Sequence, residues 1–317
     1  MSQGQDCPRV SPDYGCHLED TIYGYYPNLG ANAFFCALFG ICCIANIILG
    51  IKYRTWTYMI AVGVGTFGEC VGYVGRIMLH NNPFDGNGFN IQICCLIIAP
   101  AFVTAGIYLT LKYLVLTVGR DYSRIRAKFY TWIFILCDLL SLVLQGAGGG
   151  IAATADTSTF QNVGNDLMMA GISYQVVTLL LFGILVSDYV YRAYKGRNGF
   201  TQETINLLSS RNFKLFASGI VLSFFVIFTR CVFRIAEMAN GWANPIMQDE
   251  VDFIVLDGVM VAIASLCLTI FHPGLFFTPM VTYKKDKKAG KVYASDKTED
   301  IETPSNGPTP MDQPERR

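Results

Sequence analysis

Seven ionisable side chains interrupt otherwise apolar stretches of this 317-residue sequence. On the insertion scale, an ionised group at the centre of a bilayer costs about 2.5–3.5 kcal/mol, so such groups pair with one another or bind a ligand. The seven residues are Glu69, Arg76, Asp138, Arg230, Arg234, Glu237 and Asp257. Three arginines stand against four carboxylates, so one negative charge has no match, and a proton or a cationic head group could neutralise it.

The spacing of these residues predicts shared helix faces. Positions seven apart return to within about 20° around a helix and lie roughly 10 Å apart along its axis. The pairs at this spacing are Glu69 and Arg76, Asp138 and Gln145, Arg230 and Glu237, and Glu250 and Asp257. Arg234 shares the face of Arg230, and Gln175 adds an amide to a fifth helix. We expect these side chains to face the interior of a bundle and to converge in one chamber.

Seven apolar stretches, each about as long as a membrane-spanning helix needs to be, carry these residues. They are Ala31–Ile51, Thr57–Leu79, Asn90–Val115, Phe129–Ala152, Leu167–Ser187, Leu215–Glu237 and Phe253–Phe277. The sequence therefore predicts an all-α membrane protein, a bundle of seven transmembrane helices.

Lysine and arginine set the orientation of the bundle. They cluster after the first, third, fifth and seventh stretches, whereas the connections at 80–89, 153–166 and 240–252 contain none. Because positive residues favour the cytoplasmic side, we expect the N-terminus outside and the C-terminus in the cytoplasm. This orientation biases the polar residues toward the extracytoplasmic half of the bilayer.

The chain divides into three regions. Residues 1–28 form a polar extracytoplasmic segment, residues 29–279 the membrane domain, and residues 280–317 a cytoplasmic tail. The tail begins with a lysine cluster that suits anionic lipid head groups and continues as a Pro-, Thr- and acid-rich sequence typical of disorder.

Several classes of function are disfavoured. The net charge of zero argues against nucleic acid as a partner. His17, His80 and His272 are placed too far apart for a zinc site, and no phosphate-binding loop is present. Nine of eleven cysteines lie in apolar stretches and are interpreted as small apolar residues, whereas Cys7 and Cys16 could form a disulfide if they are extracytoplasmic. The sequence predicts neither a cofactor nor an enzyme.

At these residues the chain resembles the fungal lipid-translocating exporter family, the RTA-like or resistance-to-aminocholesterol membrane proteins, from about Tyr23 to Phe277. No single motif is specific, but the ordered set is. The motifs are Tyr25-x-Pro27 with Ala31-Asn32; Glu69-x-x-Gly72-Tyr73-x-x-Arg76; Ala99-Pro100 with Tyr108; Asp138 with Gln145 and Gly148-Gly149-Gly150; Gly171 with Gln175; Arg230-x-x-Phe233-Arg234-x-x-Glu237; and Glu250 with Asp257, ending in His272-Pro273-Gly274.

The resemblance implies a fungal protein of the plasma membrane or an internal membrane. Family members are associated with export of sphingoid long-chain bases, resistance to amino-sterols and porphyrin uptake, and a receptor-like role is also discussed. Two positions depart from the family pattern. Lys112 stands where the family usually has arginine, and Ile254 where it usually has tyrosine. If that tyrosine hydroxyl touches a ligand, the substrate preference of this chain differs.

Two functional interpretations remain open beside a purely structural one, in which the ion pairs only lock helices together. In the first, the chain translocates amphiphilic cationic lipids; the carboxylates of Glu69, Glu237 and Asp257 bind the head group, and the three arginines are their counter-ions. Glu69 and Asp138 are then the candidates for proton coupling. In the second, the chain is a seven-helix sensor whose basic loops at 119–128 and 191–214 bind a cytoplasmic partner.

Overall fold

The computed structural model describes residues 17–18, 21, 23–118, 127–155, 157–239 and 245–276, and for residues 127–130, 153–154, 198 and 203 it describes the backbone alone. Within these ranges the regular structure is helical, with no strand. The possible disulfide between Cys7 and Cys16 and the tail at 280–317 lie outside the described residues. The nine described cysteines are all free thiols.

Ten α-helices account for most of the described chain, joined by a 3₁₀ turn and a π-helical stretch. The α-helices are α1 (Leu29–Lys52), α2 (Trp56–Asn81), α3 (Gly86–Val118), α4 (Ala127–Thr154), α5 (Ser158–Lys195), α6 (Gln202–Ser209), α7 (Arg211–Met238), α8 (Glu250–Asp252), α9 (Met260–Ile270) and α10 (Pro273–Phe276). The 3₁₀ turn is Arg197–Gly199, and the π-helical stretch is Phe253–Val259.

Among the described residues, six helical segments are long and apolar enough to cross a membrane: α1, α3, Thr131–Ala152 of α4, α5, α7 and the C-terminal run Glu250–Phe276. Their outer faces carry large apolar side chains, and Ile41, Trp132 and Tyr191 are 62–66% exposed. Such surfaces suit a hydrocarbon solvent. The chain is therefore an integral, multi-pass, all-α membrane protein. The seventh predicted stretch, α2, is a helix of 26 residues but is not among the six.

Close helix contacts depend on glycine at two places. A Cβ on Gly148 of α4 would lie 2.5 Å from the Met168 backbone nitrogen of α5, and a Cβ on Gly75 of α2 would lie 2.8 Å from the Gly88 carbonyl oxygen of α3. Small residues of this kind let helix backbones approach within a membrane. They hold α4 against α5 and α2 against α3, while α2 also packs along α1, and α7 along α9.

Candidate functional site

Arg230 of α7 is held by two different helices. Its Nε donates to Asp257 Oδ1 of the π-helical stretch at 2.7 Å, and its Nη2 donates to the carbonyl oxygen of Leu96 on α3. That carbonyl is available because Pro100, four residues later, has no N–H to donate to it. An arginine of another helix takes the carbonyl that Pro100 leaves free.

Arg234 forms its ion pair within its own helix. Its Nη1 donates to Glu237 Oε2 at 2.5 Å, and both side chains are buried. The seven-residue spacing grouped Glu237 with Arg230, but residues three apart on a helix lie closer together than residues seven apart. Arg234 therefore takes the carboxylate, which leaves Arg230 to bind Asp257.

Glu69 lies in the middle of α2 with 1% of its surface exposed, and neither carboxylate oxygen has a hydrogen-bond partner within the described chain. The charged groups within its electrostatic reach are Asp257, Arg230 and Arg234. The Tyr73 hydroxyl, one helical turn further on, is also buried without a partner. We call Glu69, Arg230, Arg234, Glu237 and Asp257 the central cluster.

Arg76 does not join the central cluster, although it shares a face of α2 with Glu69. Its Nε donates to Asn32 Oδ1 at 3.0 Å and its Nη2 donates to the Tyr25 hydroxyl at 3.1 Å. Its guanidinium lies 3.9 Å from the centre of the Phe253 ring, and Nη2 lies 3.9 Å from Glu250 Oε1. Arg76 therefore binds the end of the bundle at which α1, α2 and the C-terminal run meet.

The segment that precedes α1 crosses this end of the bundle. The Tyr23 hydroxyl accepts from Gln92 Nε2 at 2.7 Å, and the backbone N–H of Asn28 donates to Glu250 Oε1 at 2.5 Å. The carbonyl of Pro27 accepts from His80 Nδ1 at 2.7 Å. Burial raises the pKa of Tyr25, so its hydroxyl stays protonated beside Arg76. The segment at 23–28 thus forms a hydrogen-bonded cover over Arg76.

The C-terminal run changes its helical geometry at the central cluster. The seven-residue spacing of Glu250 and Asp257 assumes an α-helix, but the π-helical stretch Phe253–Val259 begins between them, contains Asp257 and shifts their register. Glu250, 24% exposed, binds at the covered end of the bundle, whereas Asp257, at 1%, reaches Arg230. Gly258 makes room here, because a Cβ on it would lie 2.9 Å from the Tyr73 hydroxyl.

Asp138 stands apart from the central cluster. It is 5% exposed, its Oδ2 accepts from the Tyr108 hydroxyl at 3.0 Å, and its Oδ1 has no partner in the described chain. None of the described basic side chains forms an ion pair with it. Cys231, next to Arg230, lies within electrostatic reach of both Asp138 and Asp257.

Gln145 and Gln175 bind each other. Gln145 Nε2 donates to Gln175 Oε1 at 3.1 Å, and Gly171 allows this approach because a Cβ there would lie 2.8 Å from Gln145 Cγ. The structure buries all nine predicted site residues and divides them into groups by their direct partners, whereas their convergence in one chamber stays a prediction. Only five form the central cluster, since Arg76, Asp138 and the glutamine pair each meet other partners.

Each of the three buried arginines in the described chain has one carboxylate partner. Arg230 is matched by Asp257, Arg234 by Glu237, and Arg76 by the half-buried Glu250. Spacing had placed Glu250 on the face of Asp257, but only the structure shows it opposite Arg76. Two buried carboxylates, Glu69 and Asp138, are left without a cation among the described residues. Such groups suit a proton or a cationic ligand, because a buried charge without a partner is unfavourable.

Among the described residues, no group of three His, Cys, Asp or Glu side chains is arranged to hold a metal ion. His272 lies 3.5 Å from Thr55 Oγ1, just before α2 begins, whereas His80 lies near the end of α2. The two imidazoles are therefore separated by the length of that helix.

Comparison with known proteins adds a family match. A family model described as RTA1 like protein matches residues 62–280, more than half of the chain. The chain is 31% identical over 287 residues to the sphingoid long-chain base transporter RSB1 of Saccharomyces cerevisiae, covering 81% of this chain and 75% of that protein. It is 31% identical over 215 residues to the protoporphyrin uptake protein 1 of the same yeast, covering 67% of each. It is 29% identical over 248 residues to the yeast protein RTM1, covering 75% of this chain and 76% of that protein. No solved structure matches.

Proposed function

Because the chain belongs to the RTA1-like protein family, we propose that it binds cationic amphiphiles, sphingoid long-chain bases among them, and moves them across its membrane. The relatives include a protein named as a sphingoid long-chain base transporter and one named as a porphyrin uptake protein, and neither name is that of an enzyme. The names of these relatives and the resemblance of the sequence motifs both support lipid transport as the function of this chain.

The uncompensated acid in the central cluster is the observation that carries the proposal. Every arginine there has a carboxylate, yet Glu69 has no cation of its own and no hydrogen bond in the described chain. A protonated amine brings one positive charge and three N–H donors. Within the described ranges, Asp257 Oδ2 and the Tyr73 hydroxyl are also buried without hydrogen-bond partners, and they suit the remaining donors and the hydroxyl groups of a sphingoid base.

The proposal includes the topology, the direction of transport and the membrane. In it, the bundle has seven crossings with the N-terminus outside, so the central cluster lies in the outer half of the bilayer. Movement of cationic amphiphiles away from the cytoplasm confers resistance to them, amino-sterols included, and the plasma membrane is where such export is effective. Ile254 packs beside the core around Tyr73, so its departure from the family's tyrosine adjusts substrate preference.

Leaflet-resolved transport in liposomes tests the proposal. The full chain is reconstituted, fluorescent sphinganine is added to the outer leaflet, and its arrival inside is followed by resistance to a membrane-impermeant quencher. We expect Glu69→Gln to reduce transport by about tenfold or more, because a charged partner of the amine is lost. Asp188→Asn is the matched control, since it neutralises an acid outside the cluster that pairs with Arg192 at 3.0 Å.

Two outcomes contradict the proposal. Transport by Glu69→Gln at the wild-type rate would show that the uncompensated acid is not the binding group. Binding of sphinganine by the wild-type chain without movement between leaflets would instead favour the sensor interpretation.

A further inference from the structure

An apolar cleft of about 220 Å³ lies between α3, α5 and α7, away from the central cluster. Its walls include Ile107, Leu111, Phe182, Phe216 and Phe224. It also contains two hydroxyl groups, but each bonds to its own helix: Thr110 Oγ1 to the Gly106 carbonyl at 2.9 Å, and Ser187 Oγ to the Gly183 carbonyl at 2.8 Å. The walls therefore present apolar side chains to a ligand, and the hydroxyl hydrogens of Thr110 and Ser187 are already used within their own helices.

The dimensions of the cleft fit one lipid chain. Along α3 it extends from Ile107 to Leu114, and along α7 from Phe213 to Phe225. At 1.5 Å per helical residue these lengths are about 10 to 18 Å, close to half of a hydrocarbon core of about 30 Å. Val221 and Phe225, at 53% and 59% exposure, border its opening to the surrounding lipid.

A buried carboxylate lies beyond one end of the cleft. The Phe182 ring of the wall packs against the Tyr108 ring, with centroids 4.5 Å apart, and the Tyr108 hydroxyl donates to Asp138 Oδ2. The other oxygen, Oδ1, is buried without a partner in the described chain. An apolar cleft therefore leads, through a pair of aromatic rings, to an acid that has no cation.

We propose that the cleft and Asp138 form a second binding station for single-chain amphiphilic amines, in which the cleft takes the hydrocarbon chain and Asp138 Oδ1 takes the protonated amine. The inference rests on the proposed function for its substrate class, but it concerns a separate site. Charge complementarity identifies the occupant, because a neutral lipid tail would fill the cleft and leave Asp138 uncompensated. Rotation of the Phe182 ring opens the passage between chain and head-group sites.

The two stations follow each other along the same helices. On α7 the cleft ends at Phe225, and Arg230 of the central cluster begins little more than one turn later. Cys231 lies within electrostatic reach of Asp138 on one side and Asp257 on the other. An amine released from Asp138 therefore has an acidic acceptor close by, in the direction of Glu69.

Photolabelling of the full chain in phosphatidylcholine liposomes tests the station without requiring transport. The probe is sphinganine with a diazirine at the end of its chain, and labelled peptides are identified by mass spectrometry. We expect labelling concentrated on residues 182–190 and 213–225, and a reduction of about tenfold or more in Asp138→Asn. A triol probe, in which hydroxyl replaces the amine of sphinganine, should label weakly and equally in both proteins.

Filling the cleft gives a second, independent measurement. Ala217→Trp and Val186→Trp place an indole in the cleft and should abolish its labelling, whereas Leu181→Trp, on an exposed face of α5, should leave it unchanged. Even labelling of all lipid-facing helices, or labelling unaffected by Asp138→Asn and by both fillings, would overturn the inference. Cleft labelling that persists when no transport is detected would overturn the proposed function alone, and transport with evenly spread labelling would overturn the station alone.

Discussion

A carboxylate such as Glu69, buried without a hydrogen-bond partner in the described chain, opposes folding, and in the function we propose it binds a cation. The neighbouring acids differ from it because each has an arginine. Asp257 lies 2.7 Å from Arg230, and Glu237 lies 2.5 Å from Arg234. Stability and ligand binding therefore make opposite demands at Glu69, as is common where a site is held ready for a ligand.

Replacement of Glu69 by leucine should raise the stability of the unliganded protein. The change removes a buried charge and supplies apolar surface, so we expect a gain of about 1–3 kcal/mol. The measurement is thermal unfolding of the full chain in detergent without amphiphile. Arg230→Met is the contrasting variant: it leaves Asp257 buried without its cation and should cost about 3–5 kcal/mol. A loss of stability in Glu69→Leu would show that Glu69 is already compensated.

At the scale of the helices, residue spacing predicted which side chains face inward but not which partners they meet. Charge inside an apolar stretch correctly placed Glu69, Arg76 and Asp138 in the interior. Partner choice depends on how neighbouring helices are displaced along one another, and a single periodicity does not contain that information. Local backbone geometry adds to the difficulty, because the spacing of Glu250 and Asp257 does not encode the π-helical stretch that begins after Glu250 and contains Asp257.

Pro100 gives a prediction for α3. In Pro100→Ala the new N–H can bond to the Leu96 carbonyl, which competes with Arg230 for that oxygen. We expect α3 to become at least as stable, by thermal unfolding, while sphinganine transport falls several-fold because Arg230 loses a contact that fixes its position. Pro273→Ala is the control, since Pro273 begins α10 and its missing N–H frees no carbonyl inside a long helix. Wild-type transport in Pro100→Ala would show that the freed carbonyl has no role.

At the scale of the whole molecule, the number of crossings decides how the site is oriented. Six of the described helical segments are apolar enough to cross, and α2 differs from them because Glu69, Arg76 and five glycines lie within its length. Its connections nevertheless leave little freedom: three residues join α1 to α2 and four join α2 to α3. At 1.5 Å per residue its 26 residues span about 39 Å, more than a hydrocarbon core of about 30 Å. If α1 and α3 both cross, α2 carries the chain back between them.

An odd number of crossings places the two ends of the chain on opposite sides of the membrane, whereas six would place them on the same side. Val10→Asn together with Pro12→Thr creates an N-glycosylation acceptor around Ser11, and Pro308→Thr creates one that begins at Asn306. We expect only the chain with the N-terminal acceptor to gain a glycan when it is expressed in yeast, read as a mobility shift reversed by a glycosidase. A glycan at both ends, or at neither, would indicate an even number of crossings. A glycan at the C-terminal acceptor alone would invert the bundle and place the central cluster in the cytoplasmic half, where Glu69 would load its cation before Asp138 does.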